Sequence, residues 1–384
     1  MRFRQFQNIW IKKSLHDLTK KINIKNKNKE CKNVICNSAQ LGLIRQIDFF
    51  DKEIAQDGSI ENYTIIKKND FVYNPRKSLN APYGPVNIYN YEEAGIVSPL
   101  YLCFSVHDID KIFLHYYFKS QAWYRFIYLN GDSGARHDRV SIKDEVFFSQ
   151  NLYLPNAIEE EKIGVFLTLI DQRIDTQNKI IEDLQTLKIS ICDKLFEDTT
   201  YPEYKLKDVL SERIEKSNVN NQYEILSSTI KGLFTQKEYF DKDIASSNNI
   251  GYKIVHLYDI IISPQNLWMG NITFNQRFTN GLVSPSYKIY IINNNFDMYY
   301  IANMLKTKRA MYKYICSSQQ GASVVRRNLN MDDFLSLSFS IPDINKQRKI
   351  GLLLNTIDKR IDLEQTYLTK LNQQKKFLLK NMFI

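Results

Sequence analysis

Four short stretches of the chain concentrate side chains that hydrogen-bond to nucleobase edges or neutralise phosphates. Arg, Asn and Gln make paired hydrogen bonds with bases, and Lys and Arg contact phosphates. The stretches are 74–84 and 134–139 in the first half, and 263–270 and 317–327 in the second. The candidate nucleic-acid contacts are Asn74, Arg76, Lys77, Tyr83, Arg136, His137, Arg139, Gln265, Asn266, Trp268, Gln319, Gln320, Ser323, Arg326 and Arg327. The alternative is that these are ordinary polar loops, with Trp268 packed in a core.

The two halves differ in the chemistry of these stretches. Those of the first half are rich in Arg and Lys, whereas those of the second half hold Gln and Asn at comparable places. Arg pairs best with guanine, and Asn and Gln pair best with adenine. If the loops read a duplex, the pattern predicts guanine or phosphate contacts in the first half and adenine contacts in the second.

The sequence carries no complete signature of catalysis. It lacks a glycine-rich phosphate loop. The segments 98–101 (SPLY) and 284–287 (SPSY) have one proline where an amino-methyltransferase clamp for a flipped base has two, so we interpret them as turns that lead into strands. The carboxylates of 51–53 and 241–243 superficially resemble a nuclease cluster but read more simply as charged helix starts. The five cysteines and five histidines show no metal or disulfide spacing. We predict a non-catalytic chain without a cofactor or metal of its own.

The composition indicates a globular protein with a polyanionic partner. Of the 384 residues, 43% are hydrophobic and 24% are charged, as in proteins with well-formed cores. The formal net charge of +10 favours a nucleic acid, because neutralised phosphates supply most non-specific affinity. No apolar run is long enough to span a membrane, and residues 1–13 lack the apolar core of a signal peptide. We therefore expect a cytoplasmic protein that does not enter the membrane.

One long segment occurs twice. Residues 154–196 return as 341–383, with a shift of 187 residues and no gap. Apolar residues recur every three or four positions in both copies, which predicts two coiled-coil helices that pair with each other. The polar interruptions of this seam coincide, at Gln177 and Lys188 in the first copy and at Glu364 and Lys375 in the second. In an antiparallel pair, Lys188 would lie toward the early part of the other helix.

The segments that precede the two helices also share an ordered set of motifs. Short β-rich runs are predicted at 63–66, 71–73, 100–104, 253–256, 260–262 and 288–292, and helices at 109–119 and 297–304. The predicted fold is α+β, with two pseudo-repeated globular domains joined by two long antiparallel coiled-coil helices. The globular domains are expected at 1–154 and 198–341, and the helices at 155–197 and 342–384.

The doubled order of motifs closely resembles the specificity (S) subunit of type I DNA restriction–modification enzymes. The order is G-[IL]-V-S-P-x-Y, G-A-x-x-x-R, [IL]-P followed by K-I-G, D-x-R-I-D and a terminal Phe. It occurs twice, and the resemblance covers nearly the whole chain. The family commonly shows P-P-x-x-E-Q before the K-I stretch. Here the first copy has Glu159 and Glu160 at the last two positions, and the second has Lys346 and Gln347. Since this stretch begins the helices, we expect the departure to affect subunit contacts more than DNA reading.

The resemblance implies a division of labour in a prokaryotic complex. Each globular half would be a target-recognition domain for one half of a split, asymmetric site in double-stranded DNA. The helix pair would set the unread spacer and dock two methyltransferase (M) subunits, which use S-adenosylmethionine. Restriction (R) subunits would join them, so that ATP and Mg also belong to partner subunits. Two alternatives remain: the specificity subunit of a type IIB-like system with a fused methyltransferase–nuclease partner, and a coiled-coil scaffold without a DNA role.

Overall fold

The computed structural model of the chain describes residues 1–50, 60–132, 138–240, 248–323 and 326–383, with the backbone alone for 50, 240, 319–323 and 326–328. Two compact units divide the chain. The first comprises Met1–Asn178 and Tyr367–Ile384, and the second is Lys179–Thr366. Two sets of predicted residues lie outside the described residues: Arg136 and His137, and the carboxylates of 51–53 and 241–243.

The first half of the chain is built on a four-stranded antiparallel sheet in the order β2-β9-β6-β7, with three further strand pairs, β1-β10, β3-β4 and β5-β8. Its strands are β1 (Ile11–Ser14), β2 (Thr19–Lys21), β3 (Ile35–Ser38), β4 (Gly42–Arg45), β5 (Thr64–Ile66), β6 (Phe71–Tyr73), β7 (Val86–Ile88), β8 (Gly95–Val97), β9 (Leu102–Val106) and β10 (Asn151–Leu154). Its helices are α1 (Gln46–Phe50), α2 (Lys111–Lys119), α3 (Tyr124–Asn130), α4 (Asp144–Phe148) and the long α5 (Ala157–Leu195).

The second half repeats each of these strand pairings, with the sheet order β12-β19-β16-β17 and the pairs β11-β22, β13-β14 and β15-β18. Its strands are β11 (Glu203–Lys205), β12 (Leu210–Glu212), β13 (Leu226–Thr229), β14 (Gly232–Thr235), β15 (Lys253–His256), β16 (Ile260–Ile262), β17 (Ile272–Phe274), β18 (Asn280–Val283), β19 (Lys288–Ile292), β20 (Ser318–Ser323), β21 (Arg326–Leu329) and β22 (Ser338–Ser340). Its helices are α6 (Leu206–Val209), α7 (Gln236–Phe240), α8 (Met298–Met304), α9 (Lys308–Cys316), α10 (Met331–Ser336) and the long α11 (Ile344–Met382). The predicted α+β class and the internal repeat are confirmed.

The two cores share a frame but not their contents. In the first unit, Phe71 stacks on Phe104 with ring centroids 5.5 Å apart, and Tyr73 stacks on Phe147 at 4.8 Å. The corresponding strand in the second unit, β16, is three consecutive buried isoleucines. A buried side chain of either kind contributes about 1.5–3 kcal/mol. Both cores are therefore apolar, although the side chains that form them differ.

The two long helices pair in antiparallel fashion within each unit. In the first unit, Ile163 and Leu167 near the start of α5 share a core with Leu378 near the end of α11. In the second unit, the end of α5 packs on a core that contains Ile350 and Leu354 from the start of α11. The predicted heptad seam and its antiparallel pairing are thus confirmed. None of the helices in the described part of the chain is long and apolar enough to cross a membrane.

Two ion pairs fix the register of the seam. Lys375 Nζ lies 2.5 Å from Asp171 Oδ1 in the first unit, and Lys188 Nζ lies 2.5 Å from Asp358 Oδ1 in the second. The shift of 187 residues relates the two lysines and also the two aspartates. Polar residues in a seam cost stability but select one register. The coincident polar interruptions at the lysines therefore have a physical explanation.

A hydrogen bond anchors the start of each long helix to the globular part of its unit. Glu160 Oε2 accepts from the Asp110 amide at 2.8 Å, and Gln347 Oε1 accepts from the Asp297 amide at 2.9 Å. Asp110 and Asp297 are in turn the N-caps of α2 and α8. Glu160, which departs from the Gln of P-P-x-x-E-Q, thus makes an intramolecular contact. A carboxylate in the first copy and an amide in the second accept the same hydrogen bond. Burial raises the pKa of the Glu160 carboxyl.

The glycine of each K-I-G motif lets the long helix lie close to the N-cap aspartate of its own unit, Asp110 or Asp297. A Cβ on Gly164 would lie 3.2 Å from Asp110 Oδ1, and a Cβ on Gly351 would lie 2.1 Å from Asp297 Oδ1. A real Cβ cannot approach an oxygen to 2.1 Å, so Gly351 is required for this packing. The motif is therefore a packing device at the junction of helix and domain.

Candidate nucleic-acid interface

The four candidate stretches occupy equivalent places in the two units. The stretch 74–84 connects β6 to β7, and 263–270 connects β16 to β17. The stretch 134–139 lies between α3 and α4, and 317–327 lies between α9 and α10. Loops on a repeated scaffold can differ in sequence without disturbing the elements that hold them.

In the first unit, the backbones of the two stretches pair directly. Val140 N donates to Pro75 O at 2.9 Å, Lys77 N donates to Asp138 O at 2.8 Å, and Arg76 and Arg139 face each other in an antiparallel bridge. Residues separated by more than sixty positions in the sequence are therefore neighbours in one short ladder. The predicted contacts Arg76, Lys77 and Arg139 are brought together.

Asn74 has a structural role that orients this ladder. Its Oδ1 accepts from the Arg76 amide at 3.0 Å, and its Nδ2 donates to Asn37 O at 3.2 Å. Such a side-chain turn fixes the backbone two residues further on. The Arg76 side chain is 68% exposed and its Nε lies 3.7 Å from Asp138 Oδ2, so it remains available to a ligand.

An open groove of 770 Å³ runs along this surface. Asn74, Arg76, Lys77 and Arg139 line it, and none of the described residues that line it is acidic. Its walls also carry apolar side chains that are unusually exposed, including Leu79 at 97%. Cations, amides and apolar groups together can contact phosphates, base edges and thymine methyl groups.

Tyr83 lies apart from the residues that line this groove. Its ring packs on the ring of Tyr124 at 5.0 Å between centroids, and its carbonyl accepts from Tyr73 Oη at 2.9 Å. These contacts hold the 74–84 loop against α3. A base contact by Tyr83 stays a prediction.

In the second unit, the 263–270 loop forms a short 3-10 helix at Leu267–Met269 that packs on α9. The Asn266 carbonyl accepts from the amides of Met269 and Asn271, both at 3.1 Å. Gln265 is exposed and Trp268 is half-buried. The loop is therefore fixed internally, and Gln265 presents its amide to solvent.

Residues 318–323 and 326–327 of the last stretch, which was predicted as a loop, instead lie in two paired strands, β20 and β21. In the register of β20 and β21, Gln319 faces Asn328, Gln320 faces Arg327 and Ser323 faces Arg326, with an irregularity between Gln320 and Ser323. Backbone pairing needs no apolar side chain, so a polar run does not prevent it. A two-stranded ribbon is narrow enough to enter the major groove of DNA.

The SPLY and SPSY segments are turns that lead into strands, as predicted. The Tyr101 amide donates to Ser98 O at 3.0 Å, and the Tyr287 amide donates to Ser284 O at 3.0 Å. Strands β9 and β19 follow at once. Each segment therefore turns the chain into a strand of its four-stranded sheet.

Comparisons with known proteins identify the domain. A family model for the type I restriction modification DNA specificity domain matches residues 199–373. Residues 199–373 are a type I restriction modification DNA specificity domain. The family that the doubled motifs predicted is thus confirmed. No curated protein sequence matches the chain.

Two solved structures share the fold of this specificity-domain chain. A crystal structure of a type I restriction–modification S subunit from M. genitalium is 17% identical, with 100% of this chain and 99% of that one covered and a TM-score of 0.58. A chain from a structure described as the basis of complex assembly and conformational transition of the type I R-M system is 12% identical, with 97% of each chain covered and a TM-score of 0.58. At these identities the likeness concerns the fold.

The structure adds residues of the first unit that sequence reasoning missed. Gln40 and Leu41, in the turn between β3 and β4, line the same groove, as do Leu79 and Asn80. Leu41 is 62% exposed, and both leucines occupy polar turns. A leucine in an otherwise polar turn was the available signal, because a turn gives it no core to enter.

Proposed function

We propose that this chain is the DNA sequence-specificity subunit of a type I restriction–modification complex in a prokaryotic cytoplasm. Each unit reads one half of a bipartite, asymmetric site, and the helix pair sets the unread spacer and docks two methyltransferase subunits. The chain itself performs no catalysis. S-adenosylmethionine, ATP and Mg belong to the methyltransferase and restriction subunits.

The main support for this proposal is that the two units share one scaffold but carry different loops. The strand pairings of the first half all recur in the second, whereas the loop between β6 and β7 carries Arg76 and Lys77 and the loop between β16 and β17 carries Gln265 and Asn266. Two copies of a scaffold with different reading groups suit a target whose two halves differ. A single symmetric ligand would favour identical loops.

The groove of the first unit supports DNA as the ligand. Its arginines and amides are the groups that form paired hydrogen bonds with guanine and adenine in the major groove. Each good pair discriminates against the wrong base by about 1–3 kcal/mol. The chain's net charge of +10 adds the non-specific attraction that a duplex requires.

The decisive test is a methylome. The chain is expressed with its neighbouring methyltransferase genes in a host without such a system, and methylated adenines are mapped for the wild type and for Arg76→Ala and Gln265→Ala. We expect Arg76→Ala to relax or weaken one half-site alone and Gln265→Ala the other alone, with the spacer unchanged.

Lys68→Ala is the matched control in the first unit, because Lys68 pairs with Glu92 and lies outside the groove. Its methylome should equal that of the wild type. An unchanged motif and occupancy in both loop variants would refute the loop assignment. The absence of any methylated motif that depends on this chain would instead favour the scaffold without a DNA role. A neighbouring gene for a fused methyltransferase–nuclease would identify the type IIB-like system.

A further inference from the structure

A second concave site in the first unit is lined by four lysines. It has a volume of 280 Å³, and Lys119 from the end of α2 meets Lys375, Lys376 and Lys380 from α11 there. Asparagine, serine and glutamine side chains complete its polar lining, and no carboxylate lines it among the described residues. A site of this kind has the charge and size for an anion with several oxygens.

The lysines of this site carry more positive charge than the nearby carboxylate neutralises. Lys119 Nζ donates to Asn87 Oδ1 at 2.6 Å, which orients the ammonium without neutralising it. Burial, together with the neighbouring Lys375, lowers the pKa of Lys119 to about 8. Asp171 faces the site from α5 and pairs with Lys375. One carboxylate thus stands against four amines, and a bound anion would relieve the repulsion.

The position of the site indicates which anion it binds. Asn80 lines both this pocket and the groove described above. A duplex whose bases lie in the groove would therefore carry its backbone past the pocket. We propose that the four-lysine pocket holds one backbone phosphate of the bound DNA, an inference that rests on the proposed function.

The second unit shows which lysines are specific to this site. The trio Lys119, Lys375 and Asp171 recurs there at the same shift of 187 residues as Lys306, Lys188 and Asp358. In that trio, too, burial and Lys188 lower the pKa of Lys306. The trio is therefore common to both units.

Lys376 and Lys380 have no such counterparts. The equivalent positions hold Ile189 and Asp193. Asp193 Oδ2 lies 2.8 Å from Lys308 Nζ, and a carboxylate, Glu197, also lines the concave site there. The lining of that site holds Lys194, Lys308 and Arg309 against Asp193 and Glu197, so two carboxylates offset most of its positive charge. The four-lysine lining without a carboxylate is, among the described residues, a feature of the first unit.

The test measures how the affinity of the complex of this chain with its methyltransferase subunits depends on salt. Dissociation constants for a duplex that contains the methylated motif are measured between 50 and 200 mM KCl for the wild type, Lys376→Gln/Lys380→Gln and the control Lys308→Gln. Loss of one phosphate contact lowers the slope of log K against log salt by about 0.9. When the salt is raised from 50 to 200 mM, the factor by which affinity falls should therefore be about 3.5 times smaller for the double variant than for the wild type. Its methylated motif should stay unchanged, and the control should follow the wild type.

The following outcomes would overturn the inference. An unchanged slope in the double variant would do so, as would an equal change in Lys308→Gln. Weakened association with the methyltransferase at an unchanged slope would assign the pocket to an acidic protein surface. If the wild-type complex shows no salt-dependent DNA binding, both this inference and the proposed function are refuted. If the wild type binds DNA normally and the double variant has the same slope, only this inference is refuted. Lys376→Gln alone, read for the same change of slope, replaces the double variant if that protein does not fold.

Discussion

The two K-I-G glycines offer a matched test of how the long helices are attached. Gly351→Ala places a methyl group 2.1 Å from Asp297 Oδ1 and 3.0 Å from the Tyr300 amide nitrogen. Gly164→Ala, at the same place in the first unit, meets its nearest atoms at 3.2 Å. The same substitution therefore encounters 1.1 Å more room in one copy than in the other.

The expected magnitudes follow from what the methyl group displaces. Asp297 Oδ1 accepts from the Tyr300 amide at 2.9 Å and caps α8. Loss of an N-cap costs about 0.5–2 kcal/mol, and a buried amide left without an acceptor costs about 1–3 kcal/mol. Alanine returns about 1 kcal/mol through its better helix propensity. Because the lost cap and the unsatisfied amide are one and the same hydrogen bond, we expect Gly351→Ala to destabilise the second unit by up to about 2 kcal/mol. Gly164→Ala should fall between neutral and about 1 kcal/mol stabilising.

Urea unfolding of the full chain, followed by circular dichroism, measures both variants. The background Asp297→Ser supplies the control, because a serine caps the helix with a shorter side chain and leaves room for the methyl group. In that background Gly351→Ala should cost markedly less. Equal tolerance of alanine at both glycines, or an undiminished cost in the serine background, would refute the steric explanation.

Two further predictions concern the helices. A seven-residue heptad inserted into both helices, after Asn178 and after Thr366, adds about 10.5 Å and should lengthen the spacer of the methylated motif by about three base pairs without changing either half-site. The same insertion in α5 alone cannot preserve both ion pairs of the seam and should abolish methylation; a methylome with an unchanged spacer would contradict the ruler role. On α2, burial lowers the pKa of His115 to about 3, with Lys119 and Lys375 contributing. His115 therefore stays neutral in the fold while the unfolded chain takes up a proton below about pH 6.5, so stability is lost as pH falls, by up to about 2 kcal/mol at pH 5. Urea midpoints at pH 7.5 and 5 should show this loss diminished in His115→Ala but not in His16→Ala, whose side chain is 80% exposed in the native protein.

Periodicity predicted the long helices well because a seam is a local pattern repeated over many turns. The strands 71–73, 253–256, 260–262 and 288–292 were predicted with their observed bounds, since buried β-branched and aromatic runs leave few alternatives. The pairing of Arg76 with Arg139 was not foreseeable, because it depends on how distant segments return to one sheet edge. The hairpin of β20 and β21 was missed for a local reason. Its strands are held by backbone pairing and lack the alternation of apolar and polar residues by which a strand is predicted.

The residues proposed to read DNA are the least accessible to sequence reasoning. Asn74 and Tyr83 have the right chemical groups, yet the structure employs both in local contacts. Asn80 lies in the candidate stretch 74–84 but was not among the predicted contacts, yet it lines both the groove and the lysine pocket. Side-chain type defines what a residue can contact, whereas tertiary geometry decides whether it does.

The first unit is formed by two segments that lie far apart in the sequence, and this has a consequence for how the protein is synthesised. Phe383 packs on Phe113 and Tyr117 with ring centroids 5.3 and 6.1 Å apart, so residues 367–383 complete a core that residues 1–178 begin. Those residues leave the ribosome only after the entire second unit has been synthesised. The unit that is translated first must therefore wait, with part of its apolar surface uncovered, and is finished last. A nonsense mutation before codon 367 would thus damage the unit that residues 1–178 begin.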